Sequence, residues 1–216
     1  MITCGGHYKP AHGYTFNVVA YAEPSSAGLP APASAPAGPN RATLQGDRGV
    51  RSGAGYRGGM QSFLPWPGFA ETAEVLDPRR LGKQRVEALQ ILRGLTVPGY
   101  GWRHHPAVKM WAGYEEALVR YGLEICAAWT ASGRADTCEL ILLKDLADRC
   151  DIHRIRTQQE LGRAGDLPPW LGDEALHRSH RSALLRKDPE HYGRYFDEPP
   201  DLPYVWPASD RTPCRR

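Results

Sequence analysis

Residues 78–95 read PRRLGKQRVEALQILRGL and directly follow an aspartate, Asp77. Aspartate is a good N-cap residue, and proline suits the first position of a helix. Apolar residues then recur at helical spacing on one face: Leu81, Ala88, Leu92 and Leu95. The pattern predicts a helix that begins at Pro78 and ends before the Pro98-Gly99 pair.

The chain beyond this helix has the same helical character. Large apolar residues repeat at intervals of three and four from Trp111 onward: Tyr114, Leu118, Tyr121, Ile125 and Trp129. They predict one long helix from His105-Pro106 to Gly133. Further helices are predicted over Thr137–Cys150 and from Asp173 to about Lys187, followed by a short aromatic turn and an extended, proline-rich end. Because no alternating strand pattern is convincing, we predict an all-α, compact single domain of about five helices over residues 60–216.

The first 59 residues differ sharply in composition from the rest. They hold 11 of the 23 glycines, and the stretch Glu23–Asn40 is nearly all Pro, Ala, Ser and Gly. Such a segment lacks the aromatic and branched residues that could offset the entropy lost on ordering. We therefore predict either a disordered tail over residues 1–59 or an upstream extension that is not translated, with Met60 as the true start.

Charge and hydropathy exclude several classes of protein. The net charge of +3 lies entirely in residues 1–59, since residues 60–216 hold 22 basic and 22 acidic side chains. A nucleic-acid surface must therefore come from local clustering of cations. No apolar run approaches the length of a membrane span, which predicts no membrane partner. The five cysteines form no C-x-x-C pair, and we interpret Cys126, Cys138 and Cys150 as reduced core thiols of a cytoplasmic protein.

Four cations crowd the first turns of the helix that begins at Pro78: Arg79, Arg80, Lys83 and Arg85. Cations at a helix N-terminus oppose the helix dipole, so their presence suggests an anionic partner such as DNA phosphate. Helical spacing places Arg80, Lys83 and Glu87 on one side of the helix. The alternative is a solvated charged face with a Lys83–Glu87 ion pair.

Two other segments carry candidate DNA contacts. Residues 102–105 (WRHH) place an aromatic ring beside cations, which suits stacking on a base while holding phosphates. The alternative is that Trp102 packs in the core, while His104 and His105 cap the next helix. A second basic cluster comprises His177, Arg178, His180, Arg181 and Lys187, which we interpret as a phosphate-facing surface. His177 and His180 lack a further ligand at matching spacing, so no metal is predicted, and no phosphate-binding or dinucleotide-binding motif indicates a small-molecule cofactor.

Three stretches carry a family resemblance between Met60 and about Phe196. Leu76-Asp77 is followed by Leu81 and, six residues later, Glu87; residues 114–133 read YEEALVRYGLEICAAWTASG; and residues 180–195 form a basic helix followed by Pro and aromatic residues. Together they resemble the catalytic helix, central helix and C-terminal segment of the pyrimidine-dimer DNA glycosylase family of the endonuclease V type. The start at Met60 is most similar to a small bacterial branch whose members begin near M-Q-[ST]-F-L-P.

The resemblance implies an all-α enzyme that repairs double-stranded DNA. In this family an N-terminal α-amine attacks the sugar C1′ at a pyrimidine dimer, an imine forms, and β-elimination cleaves the abasic site. The helix glutamate assists, and Glu87 is the matching residue here. We expect a cytoplasmic, nucleoid-associated monomer. A Glu87 at the floor of a groove rimmed by Arg80, Lys83, Arg103 and the His177–Arg181 face would favour the enzyme, whereas a Glu87 buried in an internal ion pair would count against it.

The sequence departs from the family pattern at the nucleophile. The family exposes a threonine when the initiator methionine is removed, whereas this chain reads Met60-Gln61, and the bulky glutamine predicts that Met60 stays. The two family arginines that flank the glutamate are Val86 and Gln90 here. We therefore name Lys83 as a substitute nucleophile one turn from Glu87. Two alternatives stay open: a non-catalytic binder of distorted nucleic acid, and a structural or interaction α-domain.

Overall fold

The computed structural model describes residues 60–214, and the predictions made for residues 1–59 lie outside this range. The described chain contains eight helices and no strand, which confirms the all-α prediction. They are α1 Phe69–Val75, α2 Pro78–Thr96, α3 Pro106–Lys109, α4 Glu115–Ala131, α5 Cys138–Cys150, α6 Gln158–Ala164, α7 Glu174–Lys187 and α8 Pro189–Tyr192. The expected number of about five was too low because four helices of one or two turns carry too few residues for a periodic signal.

Helix α2 packs against both α4 and α5 and so lies at the centre of the fold. Its predicted apolar face is buried, with Leu81, Ala88 and Leu92 each at most 6% exposed. Helix α4 approaches closely at Gly122, where an added Cβ would lie 2.7 Å from Leu142 of α5 and 3.2 Å from Ala88. This close packing fixes α2, which carries Lys83 and Glu87, against the rest of the core.

The single long helix predicted from residue 105 to residue 133 was wrong. The chain forms the short helix α3, a turn, and then α4, which begins at Glu115. Gly113 in the turn has a φ of +77°, a left-handed conformation that interrupts a helix. A Cβ at Gly113 would lie 2.3 Å from Arg211, so the last residues of the chain pass directly over this turn. The apolar spacing continues across the break because Trp111 and Tyr114 are both buried.

Residues 199–214 form an extended segment, here called the C-terminal arm, that is attached along its length. Ser182 Oγ donates a hydrogen bond of 2.5 Å to the Pro199 carbonyl, and Val205 N donates one of 3.2 Å to Ser179 Oγ. Near the far end, Arg211 pairs with Asp166 at 3.1 Å. The arm therefore lies across α7 first and then approaches the turn between α3 and α4.

The interpretation of Cys150 as a reduced thiol was wrong. Cys150, the last residue of α5, forms a disulfide with Cys214, because the C-terminal arm brings the two Cα atoms to 5.5 Å. Cys126 and Cys138 are free and buried, as expected of core thiols. The disulfide anchors the end of the arm to the central helices.

Removing this disulfide is expected to destabilise the fold. The bond joins residues separated by 64 positions, and closing a loop of this size typically contributes about 2–4 kcal/mol to the free energy of unfolding. Urea unfolding of Cys214→Ser against the unchanged chain measures the loss, and the intact mass of the unreduced protein shows the bond directly. An unfolding midpoint unaffected by reductant would contradict the prediction.

Asp77 joins the start of α2 to α8. Its carboxylate accepts hydrogen bonds from the backbone of Arg79 at 2.9 Å and Arg80 at 3.1 Å, and from the hydroxyl of Tyr192. Burial acts to raise the pKa of Asp77, but the Tyr192 hydroxyl and the Arg80 backbone and guanidinium outweigh it and hold the pKa below its ordinary 3.8. The ionised carboxylate is therefore the form that stabilises the fold.

Asp77→Ala is expected to lower the free energy of unfolding by about 2 kcal/mol at neutral pH, because a helix cap is lost and the Tyr192 hydroxyl loses its acceptor. Since the pKa of Asp77 is lower in the folded state, its contribution is present above pH 3.8 and is lost as the pH falls further. Urea titrations at neutral and at acid pH measure both effects. Asp201→Ala on the exposed arm is the control, and an equal loss at both pH values would contradict the prediction.

Candidate active site

Residues 61–65 form a buried, non-helical segment inside the fold. Side chains, rather than neighbouring backbone, bind its peptide groups. Gln84 accepts a hydrogen bond from Phe63 N at 2.8 Å, and Tyr121 donates one to the Phe63 carbonyl at 2.9 Å. His180 Nδ1 accepts from Leu64 N at 3.0 Å, and His177 Nδ1 donates to the Leu64 carbonyl at 2.8 Å. Helices α2, α4 and α7 therefore hold this segment jointly.

Glu87 of α2 lies beneath the start of this segment and is only 2% exposed. Its Oε1 accepts a hydrogen bond from Gln61 N at 3.2 Å and lies 3.2 Å from Lys83 Nζ. Its Oε2 accepts a hydrogen bond from Gln84 Nε2. All three neighbours are donors, so the surroundings are built for a carboxylate and not for an amide. The Lys83 side chain is 57% exposed and connects this buried acid to the surface.

Burial is the largest influence on Glu87 and raises the pKa of its carboxyl above the ordinary value. The charge and hydrogen bond of Lys83, and the backbone N–H of Gln61, act in the opposite direction without cancelling it. A carboxyl whose pKa lies closer to neutrality exchanges protons more readily under physiological conditions. The position is therefore suited to general acid–base work.

The charges of Lys83 and Lys187 act on Glu87, and Arg80 lies next to Lys187; we call these three cations the cationic rim. Arg80 pairs with Asp77 at 3.2 Å and donates a hydrogen bond of 3.0 Å to the Lys187 carbonyl, which fixes the end of α7 against the start of α2. Burial and the positive charges of Arg80 and Lys83 lower the pKa of Lys187, whereas Glu87 raises it. The rim concentrates positive charge around one buried carboxylate, as a site for an anionic substrate requires.

Several predicted DNA contacts are not on the surface. His177, His180 and Arg181 are at most 6% exposed, because they bind the backbone of residues 64 and 65. The expected basic face of α7 therefore does not include them, and the expected groove wall at His177–Arg181 is absent. Burial lowers the pKa of His180 to about 3, so it is neutral in the fold. Both rings bind the backbone of residue 64.

Two further candidates have structural partners. Arg85 pairs with Asp136 and lies 4.2 Å over the ring of Trp129, so its guanidinium is committed to the start of α5. His105 is 7% exposed, and its Nδ1 accepts a hydrogen bond of 3.2 Å from Ala107 N as the N-cap of α3. Here the structure matches the alternative in which a histidine of the loop caps the next helix.

The remaining candidates are exposed. Trp102 is 43% exposed, and Arg103 beside it donates a hydrogen bond of 2.9 Å to His104 Nε2. Arg79 and Arg178 are exposed and have no ion-pair partner among residues 60–214. These side chains, together with Lys187, are the surface cations and aromatic group that stay available to a nucleic acid.

The sequence model of one protein family, described as pyrimidine dimer DNA glycosylase, matches residues 60–142. Residues 60–142 are therefore similar to the pyrimidine dimer DNA glycosylase family. No curated protein and no solved structure matches the chain. The matched segment begins at Met60 and contains both Lys83 and Glu87. Helix α7 and the C-terminal arm lie beyond the matched residues.

Sequence reasoning missed part of the candidate site. Gln84 contacts Glu87, residues 61 and 63, and Tyr121, but a glutamine within a helix carries no periodic or charge signal. Gln61 was noted only for its side-chain size, whereas its backbone N–H contacts Glu87. Within the described range no helix is long and apolar enough to cross a membrane, and no group of three or more His, Cys, Asp or Glu residues could hold a metal ion.

Proposed function

We propose that this protein is a DNA-repair glycosylase that breaks one N-glycosidic bond of a pyrimidine dimer and then cleaves the abasic site through an imine. The observation that carries the proposal is the pairing of an exposed amine with a buried acid. Lys83 Nζ lies 3.2 Å from Glu87 Oε1 within the matched segment. Imine formation needs an unprotonated amine together with a group that can accept its proton, and Glu87 is such a group beside Lys83.

In the proposed reaction, Glu87 takes a proton from Lys83, and the free amine attacks C1′ of the damaged nucleotide. The N-glycosidic bond breaks, and its electron pair stays on the pyrimidine, which takes the proton from Glu87 and remains joined to its partner pyrimidine through the cyclobutane ring. The sugar ring opens as the iminium forms at C1′. A base then removes a proton from C2′, the C3′–O bond breaks to release the 3′-phosphate, and water hydrolyses the imine to free the Lys83 amine. Glu87 also stabilises the positive charge that develops at C1′, and the cationic rim binds the flanking phosphates.

A second source of the amine is the backbone nitrogen of Gln61. This nitrogen lies 3.2 Å from Glu87 Oε1, but in a chain that continues to Met60 it is a peptide nitrogen and not a nucleophile. In a chain trimmed to begin at residue 61, the same atom would be an α-amine. Its reference pKa of roughly 7.7–8.0 leaves part of it unprotonated near neutral pH. The two amines predict adducts on different residues.

The burial of Glu87 favours one alternative, a binder of distorted DNA without catalysis. Residues 60 and 61 are at most 5% exposed and lie against the carboxylate. A substrate contacts Glu87 indirectly, by way of the partly exposed Lys83, or directly after residues 60 and 61 have moved away from the carboxylate. The binder reading predicts salt-sensitive duplex binding without strand cleavage.

Borohydride trapping tests the proposal. The full chain is incubated with a duplex containing one cyclobutane pyrimidine dimer, with an undamaged duplex as control, and the adduct is mapped by peptide mass spectrometry. We expect a lesion-dependent adduct on the peptide that contains Lys83, or on residue 61 in a trimmed chain. Damage-dependent binding with neither adduct nor cleavage would establish the binder instead.

A further inference from the structure

A line of aromatic rings connects the exposed Trp102 loop to the Glu87 site along the C-terminal arm. Trp102 lies 5.6 Å from His105, which lies 5.9 Å from Trp206 of the arm. Trp206 in turn lies 5.4 Å from Tyr204. Beyond Tyr204 the line continues inward to His180 at 6.0 Å and from there to Phe63 at 6.3 Å.

The outer rings of this line are accessible. Trp102 is 43% exposed, and Trp206 and Tyr204 are half-buried. Neither the Trp102 nor the Trp206 indole N–H has a hydrogen-bond acceptor among residues 60–214. The half-buried Trp66 has none either, whereas Trp111 donates to Ser62, Trp129 to the Ala135 carbonyl and Trp170 to the Met110 carbonyl. Because a buried indole usually satisfies its N–H group, the Trp102 and Trp206 N–H groups lie where solvent or a ligand reaches them.

The inner end of the line reaches the proposed active site. Burial raises the pKa of Tyr204, the Gln61 amide and the Arg186 guanidinium lower it, and the negative charge of Glu87 raises it further. The Tyr204 phenol therefore lies within electrostatic range of the catalytic carboxylate. Gln61, which contacts Glu87 through its backbone, lies between the two.

Cations accompany the rings at both ends. Arg186 lies 5.9 Å from the Tyr204 ring centroid, and Lys187 Nζ lies 5.8 Å from that of Phe63. Arg103 follows Trp102 at the outer end. Proteins that bind unpaired nucleotides combine aromatic rings that stack on bases with cations that follow the phosphates.

We infer that Trp102, Trp206 and Tyr204 form a base-stacking strip that takes up unpaired nucleotides of DNA beside Glu87. The inference rests on the proposed function for its location at an active site, but it concerns base binding and not cleavage. A damaged duplex from which a nucleotide is extruded exposes unpaired bases next to the reacting sugar. The strip would bind these bases, and the cationic rim would bind the adjoining phosphates.

The test compares two single strands of equal length and charge with the full chain by fluorescence anisotropy. One is an oligothymidylate, and the other carries tetrahydrofuran residues in place of nucleosides and so has phosphates without bases. We expect the oligothymidylate to bind at least about fivefold more tightly, because each base that stacks on an aromatic ring adds to the affinity. Equal affinity for both strands would overturn the inference.

Variants locate the effect. Trp206→Leu and, on the exposed loop, Trp102→Ala are each expected to remove most of the preference for the base-bearing strand, whereas Trp206→Phe retains it. Leu140→Ala, which removes a large exposed side chain from α5, should change nothing. A Trp206→Leu variant that weakens both strands equally would show a structural role only. Neither strand contains a lesion, so base binding is measured independently of cleavage. A protein that prefers the oligothymidylate but does not cleave a damaged duplex would refute the glycosylase proposal and leave the base-stacking strip standing.

Discussion

Glu87→Gln is expected to reduce cleavage of a dimer-containing duplex by about 10²–10⁴-fold, the range that a positioned acid–base group contributes. The substitution keeps the shape of the side chain but removes the proton acceptor that lies 3.2 Å from Lys83 Nζ. It also places an amide among the donors of Gln61, Lys83 and Gln84, so that one donor must face another. Single-turnover rates measure the loss, and duplex affinity should change little.

The matched control is Glu71→Gln, which makes the same chemical change on the exposed face of α1. Circular dichroism of both variants shows whether the fold is intact. If Glu87→Gln cleaves at the rate of the unchanged protein, the carboxylate has no part in the reaction. If the protein without a substitution binds the dimer-containing duplex but does not cleave it, and Glu87→Gln binds equally well, the result supports the binder of distorted DNA.

The pH dependence follows from the raised pKa of Glu87. Because the reaction needs the ionised carboxylate as a base, the acid limb of the rate profile should lie above pH 4.5, the ordinary value for glutamate. The contribution of Glu87 to the free energy of unfolding changes with pH in the opposite direction to that of Asp77. A carboxyl with a higher pKa in the folded state binds its proton more tightly there, so the fold loses stability as the pH rises through that pKa. Glu87→Gln should remove this part of the pH dependence in urea titrations.

Local signals in the sequence were enough to predict the long helices. The cap at Asp77 and the spacing of Leu81, Ala88 and Leu92 fixed α2 within one residue of its observed end. The break at Gly113 did not follow from the apolar spacing, because this spacing persists across it, and the arm residue Arg211 that packs against Gly113 is distant in sequence. The Cys150–Cys214 bond likewise depends on where the arm runs, and pairing of cysteines 64 residues apart has no local signal.

The candidate site was predictable only where its residues share one helix. Lys83 and Glu87 are one turn apart, so helical spacing alone placed them together. The roles of His177 and His180 were misread, because a basic helix face looks the same in sequence whether it meets solvent or peptide groups. Their partners lie 113 and 116 residues away at Leu64. Composition cannot show which polar side chains a buried non-helical segment will require.

Lys83→Arg is expected to eliminate the borohydride-trapped adduct and the cleavage that depends on it. Arginine keeps the positive charge and can keep the ion pair with Glu87, but its guanidinium stays protonated and does not form an imine with a sugar aldehyde. Binding to the damaged duplex should therefore remain close to that of the unchanged protein. Borohydride trapping, strand cleavage and anisotropy measured on the same preparation separate these effects.

Lys144→Arg is the control, since this exposed lysine forms the same kind of ion pair one turn along a helix, with Asp148. It should trap as well as the unchanged protein. Lys83→Ala would remove both the charge and the amine. The additional loss of duplex affinity in Lys83→Ala, compared with Lys83→Arg, therefore measures how much the positive charge at residue 83 contributes to phosphate binding. If Lys83→Arg still forms an adduct, peptide mapping identifies the true amine. An adduct on residue 61 would mean that the chain acts in a trimmed form, in which the nitrogen already beside Glu87 becomes the nucleophile.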